Sequence, residues 1–184
     1  VYIAASHMTS INIDYVYSRE VFKGKEFPGI SRFNMNWESR VHSKLGLGFF
    51  VSYGHVIARN LNEPQLGVAR NVELWSTWRP TKHLVVQPNF AFSAMDYRDS
   101  YLEQHPGTDK EIFSGYLFRT RTTYQFNREW NLRLVVQYND FSEQVDIEPL
   151  LTWQLNPFTI FYVGASSSLQ NYSTSDYPYL GSSQ

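Results

Sequence analysis

The chain contains no cysteine among its 184 residues, which excludes a disulfide framework, thiolate metal ligation and a cysteine nucleophile. It also lacks an excess of positive charge: sixteen Lys and Arg stand against seventeen Asp and Glu. Proteins that track phosphate backbones need clustered cations, so nucleic acid is not an expected partner. No apolar run approaches the ~20 residues of a membrane-crossing helix, and the mean hydropathy is negative. A β-barrel shares that profile, because only every second residue of its strands meets lipid. HExxH, GxSxG and phosphate-loop patterns are missing, so the expectation is a non-enzymatic protein with no cofactor and no metal. The sequence opens at Val1 without initiator Met or the regions of a signal peptide, and the expectation is a portion of a longer chain.

Aromatic side chains are what the sequence has in quantity: Phe, Tyr and Trp make up 17%, with thirteen each of Phe and Tyr. These residues favour strands and gather at membrane interfaces. They fall into long alternations. Tyr116, Phe118, Thr120, Thr122, Tyr124 and Phe126 oppose Leu117, Arg119, Arg121, Thr123 and Gln125. Leu132, Leu134, Val136 and Tyr138 oppose Arg133, Val135, Gln137 and Asn139. Only a two-residue side-chain period produces this. The same pattern predicts strands around Ile11–Tyr17, Phe33–Val41, Leu45–Tyr53, Val72–Trp78, Leu84–Phe92, Val145–Leu155 and 159–166. Pro88 predicts a local break, since proline cannot donate to a ladder.

The connections alternate in length: long before Ser31, short at Ser43, long near Asn62, short at Pro80, long at Gly107, short at Arg128, moderate at Ser142 and short at Pro157. Short turns at one rim and longer loops at the other are a habit of transmembrane barrels. The reading is therefore all-β, an antiparallel up-and-down meander of roughly nine strands forming a transmembrane outer-membrane barrel or a large part of one. It treats 1–184 as one domain, with 1–10 and 167–184 irregular. An odd strand count cannot close without an edge in lipid, which adds to the expectation of a missing portion.

The run Phe118-Arg119-Thr120-Arg121-Thr122-Thr123-Tyr124-Gln125-Phe126-Asn127, with Leu132-Arg133-Leu134-Val135-Val136-Gln137-Tyr138-Asn139 and Pro149-Leu150-Leu151-Thr152-Trp153-Gln154-Leu155-Asn156-Pro157, resembles a known family. It is similar to the C-terminal barrel of large bacterial envelope proteins of unknown function that carry an N-terminal module like family-nine carbohydrate-binding modules. The resemblance spans about 116–164, and the module and the family's closing strand are absent. It implies a fold and a bacterial outer-membrane location, with carbohydrate as a partner through the missing module, and it carries over no catalytic residue.

Several side chains are candidates for chemistry. Arg119, Arg121, Arg133, Gln137, Asp146 and Glu148 share the polar parity of neighbouring strands, where a barrel would point them into its lumen. There opposite charges are expected to pair across strands, as a structural ladder or as a solute-selecting field. Trp78 and Trp130 lie beside short turns and are expected in an interfacial girdle; with Trp37, Trp75 and Trp153 they are also candidates for a sugar-stacking platform. Asp96, Asp99, Glu103, His105 and Asp109 share a loop, but their spacing matches no calcium-loop pattern. His42, His55 and His83 with Ser52 and Ser93 are candidates for serine–histidine chemistry.

The expected function is a channel, porin-like, or an anchoring scaffold in the envelope, with outer-membrane lipid and other envelope subunits as partners. The alternative is a soluble β-barrel or sandwich binding a carbohydrate or apolar ligand. A barrel-based lipid hydrolase comes third.

Overall fold

The computed structural model describes residues 2–5 and 8–170. Its strands are β1 (Tyr2–Ala5), β2 (Thr9–Phe22), β3 (Lys25–His42), β4 (Leu45–Ala58), β5 (Gln65–Trp78), β6 (Leu84–Tyr97), β7 (Glu111–Gln125), β8 (Trp130–Asn139), β9 (Gln144–Asn156), β10 (Thr159–Gly164) and β11 (Ser167–Gln170). A single short helix, α1 (Asp99–Gln104), lies between β6 and β7. All strands belong to one antiparallel sheet in sequence order, and β10 and β11 both pair with β9. Ten positions therefore lie side by side. Among the described residues β1 pairs only with β2, and β10 and β11 only with β9, so the sheet is not closed.

Two expectations change. The segments 1–10 and 167–184 contain strands: β1 pairs Tyr2 with Asn12, and β11 pairs Ser167 with Ile147. Their short, polar or weakly alternating sequences hide this, because a backbone ladder needs no apolar partition; residues 171–184 lie outside the described part. The long connection expected before Ser31 is instead a tight hairpin. Lys23 (φ 51°) and Gly24 (φ 76°) both take positive φ, as a two-residue turn between right-twisted strands requires, and Phe22 pairs directly with Lys25.

Side chains explain the other turns. The Asn127 Oδ1 accepts from the N–H groups of Glu129 and Trp130, both at 2.9 Å. Asn156 accepts from Phe158 N–H at 2.9 Å, and Thr81 from His83 and Leu84. Asn and Thr oxygens mimic a turn's backbone acceptor in this way. The break predicted at Pro88 appears on one side only: the β5–β6 ladder passes from Trp75↔Asn89 to Trp78↔Val86, whereas Pro88 still faces Thr120 on β7.

The register sorts the side chains into two unlike faces. One row runs Ile11, Trp37, Phe49, Leu74, Phe90, Phe118, Tyr138, Val145 from β2 to β9. Along this apolar face the paired rows of β2–β9 carry few Asp, Glu, Lys or Arg side chains, all toward one end: Arg70 and Asp96, which bind each other at 2.8 Å, Glu111 opposite Asp96, and Glu26 opposite Val21. The opposite face carries Asp14, Arg32, Glu38, Glu73, Arg119, Arg121, Arg133, Asp146 and Glu148.

Among the described residues no second layer covers either face. No large side chain is completely buried among the described residues, and six of the buried apolar ones, all but Ala94 and Val135, form two small clusters toward the end with longer connections. Phe27, Ile30 and Ile57 make one, against Phe22 and Leu66; Ala58, Ala69 and Met95 make the other. Buried strand residues are mostly on the polar face, including Gly48, Ser52, Ala69, Gly115, Val135 and Thr152. The polar face is therefore the more occluded of the two.

Candidate functional site

The polar face is a hydrogen-bonded surface built from facing strands. Asn34 Nδ2 donates to Asp14 at 2.7 Å, Ser93 Oγ to Asn71 at 2.6 Å and Asn89 Nδ2 to Glu73 at 2.7 Å. Gln87 Oε1 accepts two bonds from Arg121, at 2.9 Å from Nε and 2.7 Å from Nη2. Each pair joins neighbouring strands, so side chains reinforce the backbone ladder where water could otherwise compete.

All six polar candidates fall on this face. Arg119 faces Gln137, and Gln137 faces Asp146. Arg121 and Glu148 flank Val135, and Arg133 faces Thr123 and Leu150. The expected ion-pair ladder does not form. The four salt bridges among the described residues are Arg19–Glu26, Arg59–Glu20, Arg70–Asp96 and Lys110–Asp99. Asp146 accepts instead from Gln144 Nε2 at 2.7 Å. For Arg119 and Arg121 the physical reason is spacing, since they are two strands from Asp146 and Glu148, about 10 Å at usual strand separations; Arg133 is on the strand next to Glu148, diagonal to it, and forms no salt bridge with it. Beside the arginines a cavity of ≈ 220 Å³ is lined by Gln87, Asn89, Arg119 and Arg121.

Aromatic rings border the apolar face at both ends. At the short-turn end Trp130 stacks on Trp153 (centroids 5.7 Å apart, 17° between planes), and Trp153 stacks on Phe161 (5.4 Å, 20°). Trp78 and Tyr124 are half-exposed in the same band. Toward the other end are Tyr15, Tyr17, Tyr53, Tyr116 and Tyr138, with Tyr116 and Tyr138 5.6 Å apart. The stacked tryptophans cover one another's ring faces, which suits a band of packed rings better than an open platform for sugars. Trp37 stacks on Phe49 within the apolar face, and Trp75 lies on the polar face over Gly48.

The remaining candidates separate. Asp96 goes to Arg70, Asp99 lies 3.9 Å from Lys110, and Tyr97, Tyr101 and His105 stack with centroids 4.7 and 4.2 Å apart. No group of three metal-ligating side chains occurs among the described residues. His42 and His83 turn to local partners, Lys44 N–H and Gln125 C=O. Ser52 and Ser93 lie on the polar face, away from any histidine. Sequence reasoning missed Ser31, whose Oγ is 2.8 Å from His55 Nδ1. The signal was in the register, since Arg32↔Gly54 places Ser31 opposite His55. Among the described residues no carboxylate hydrogen-bonds to His55, so there the pair has no orienting third group of a triad.

Compared with protein-family models, curated proteins and solved structures, the chain matches none of them. No helix among the described residues is long and apolar enough to cross a membrane, which says nothing of strands.

Proposed function

We propose that this chain is the wall, or a large part of the wall, of an outer-membrane β-barrel with a non-enzymatic envelope role, as a channel or an anchoring scaffold. One observation carries the reading: among the described residues a broad apolar face, with its few charges gathered toward one end, stands uncovered between two aromatic bands. An exposed apolar surface above a few hundred Å² needs a partner. The bands set the partner's dimensions. On β7 Tyr116 and Tyr124 are eight residues apart, about 26 Å along a strand and about 20 Å after a usual barrel tilt. That is close to the apolar band of ~25 Å between aromatic girdles in outer-membrane barrels. The resemblance of 116–164 to envelope-protein barrels implies the same location.

A second reading has one observation in its favour. A groove of ≈ 370 Å³ lined by Trp37, Phe49, Leu74, Phe90 and Phe118 would hold an apolar ligand in a soluble protein; in a membrane, acyl chains would fill it. Solubility separates the two. The chain is expected to keep its β circular dichroism in detergent, to lose solubility when detergent is removed and to migrate on gels in a heat-modifiable way. A folded, monodisperse protein in plain buffer would overturn the membrane reading.

A further inference from the structure

We infer that Arg119, Arg121 and Arg133 form a binding strip for a multivalent oxyanion, a solute bearing phosphoryl or carboxylate groups. As the solute class of a channel this rests on the membrane reading; as a binding site it needs only the folded sheet.

Three observations converge. The first is crowding of like charge: Arg119 and Arg121 follow each other on one face of β7, about 7 Å apart. Arg133 is the diagonal neighbour of Arg121 across the β7–β8 ladder, about 7–8 Å away. The second is the absence of neutralisation. Among the described residues none of the three makes an ion pair: the carboxylate of Asp146 is held by an amide, and Glu148, the diagonal neighbour of Arg133 across the β8–β9 ladder, forms no salt bridge with it. An anion bridging two guanidinium groups relieves the repulsion that the protein's own carboxylates leave in place.

The third observation is orientation. Gln87 grips Nε and Nη2 of Arg121, fixing the plane of the guanidinium and leaving its other N–H groups to donate. Arg119 faces the amides of Asn89 and Gln137 across both ladders, and the ≈ 220 Å³ cavity beside them is lined by Gln87, Asn89, Arg119 and Arg121 on the polar face. At ~30 Å³ per water, that space takes a phosphate-sized group with part of its hydration. A single-charge halide gains little from three forked donors, whereas a planar or tetrahedral oxyanion accepts from them at two points.

The test is isothermal titration of the detergent-folded chain with inorganic pyrophosphate and, separately, citrate, using glucose and sodium chloride as controls. Saturable binding of pyrophosphate, citrate or both is expected, with none of glucose; the preferred probe tells phosphoryl from carboxylate solutes. Arg121→Gln and Arg119→Gln should each weaken binding at least tenfold, and Arg121→Lys should weaken it too, because it keeps the charge but loses the fork. Arg128→Gln, a charge change in the β7–β8 turn, should leave binding unchanged. Lack of saturable binding in a chain with intact β circular dichroism would overturn the proposal, as would equal losses in the Arg128 and Arg121 variants. Pyrophosphate binding by a chain folded without detergent would instead overturn the membrane reading and leave the strip standing.

Discussion

Glycine 54 shows how much one residue can constrain this sheet. Its φ is +148°, and a Cβ built on it would run into the backbone carbonyl of Ser31, so a side chain there meets both a disfavoured conformation and an immovable neighbour. Gly54→Ala is expected to destabilise the fold by roughly 2 kcal/mol or more, in the range of strained backbone positions. Gly46 meets only the Ser39 carbonyl, at 3.9 Å, so Gly46→Ala should stay within about 0.5 kcal/mol. Urea unfolding followed by circular dichroism checks both, and equal effects would refute the steric argument. Nothing in the sequence separates these two glycines. By contrast, the turn-forming roles of Asn127 and Asn156 are legible, because an Asn beside a break in alternation has few other uses.

At the scale of the strand, the two faces predict opposite responses to charge. Leu74 sits mid-row on the apolar face of β5, while Ala91 on β6 faces Glu73 on the polar side. If the apolar face meets lipid, Leu74→Arg should cost about 2–4 kcal/mol and reduce folding into phospholipid vesicles, whereas Ala91→Lys gains a carboxylate neighbour and should insert normally. Vesicle insertion scored by gel migration decides; equal tolerance would mean that the apolar face is not in lipid. Strand existence and face were readable from the alternation of Phe118, Thr120 and Thr122 with Arg119 and Arg121. Strand ends were less so. β5 begins at Gln65 and β6 runs to Tyr97, several residues beyond the apolar alternation, because hydrogen bonding extends past the zone where faces must differ in polarity.

For the whole molecule, the open edges dominate. The outer sides of β1 and of β10 and β11 have no strand partner among the described residues, and unpaired edges are both labile and adhesive. Amide exchange in detergent should therefore be fastest in Tyr2–Ala5 and Thr159–Gln170 and slowest in the central strands β4–β7. Strong protection of the outer strands would mean that another strand covers them. The hairpin β2–β3 is tied down at the same scale: Lys25 Nζ reaches Gln65 and the Pro64 carbonyl, and Arg59 pairs with Glu20 while lying over Phe22.

The sequence by itself determined the antiparallel meander, the division into an apolar and a polar face, and the placement of all six polar candidates on one side. Those follow from a period of two, a local property of the chain. Only the tertiary structure decided who meets whom across the strands: Ser31 with His55, Gln87 with Arg121, and Asp146 with Gln144 and not with arginine. Register depends on turn geometry and on contacts between residues far apart in sequence, and alternation within a strand carries no record of it.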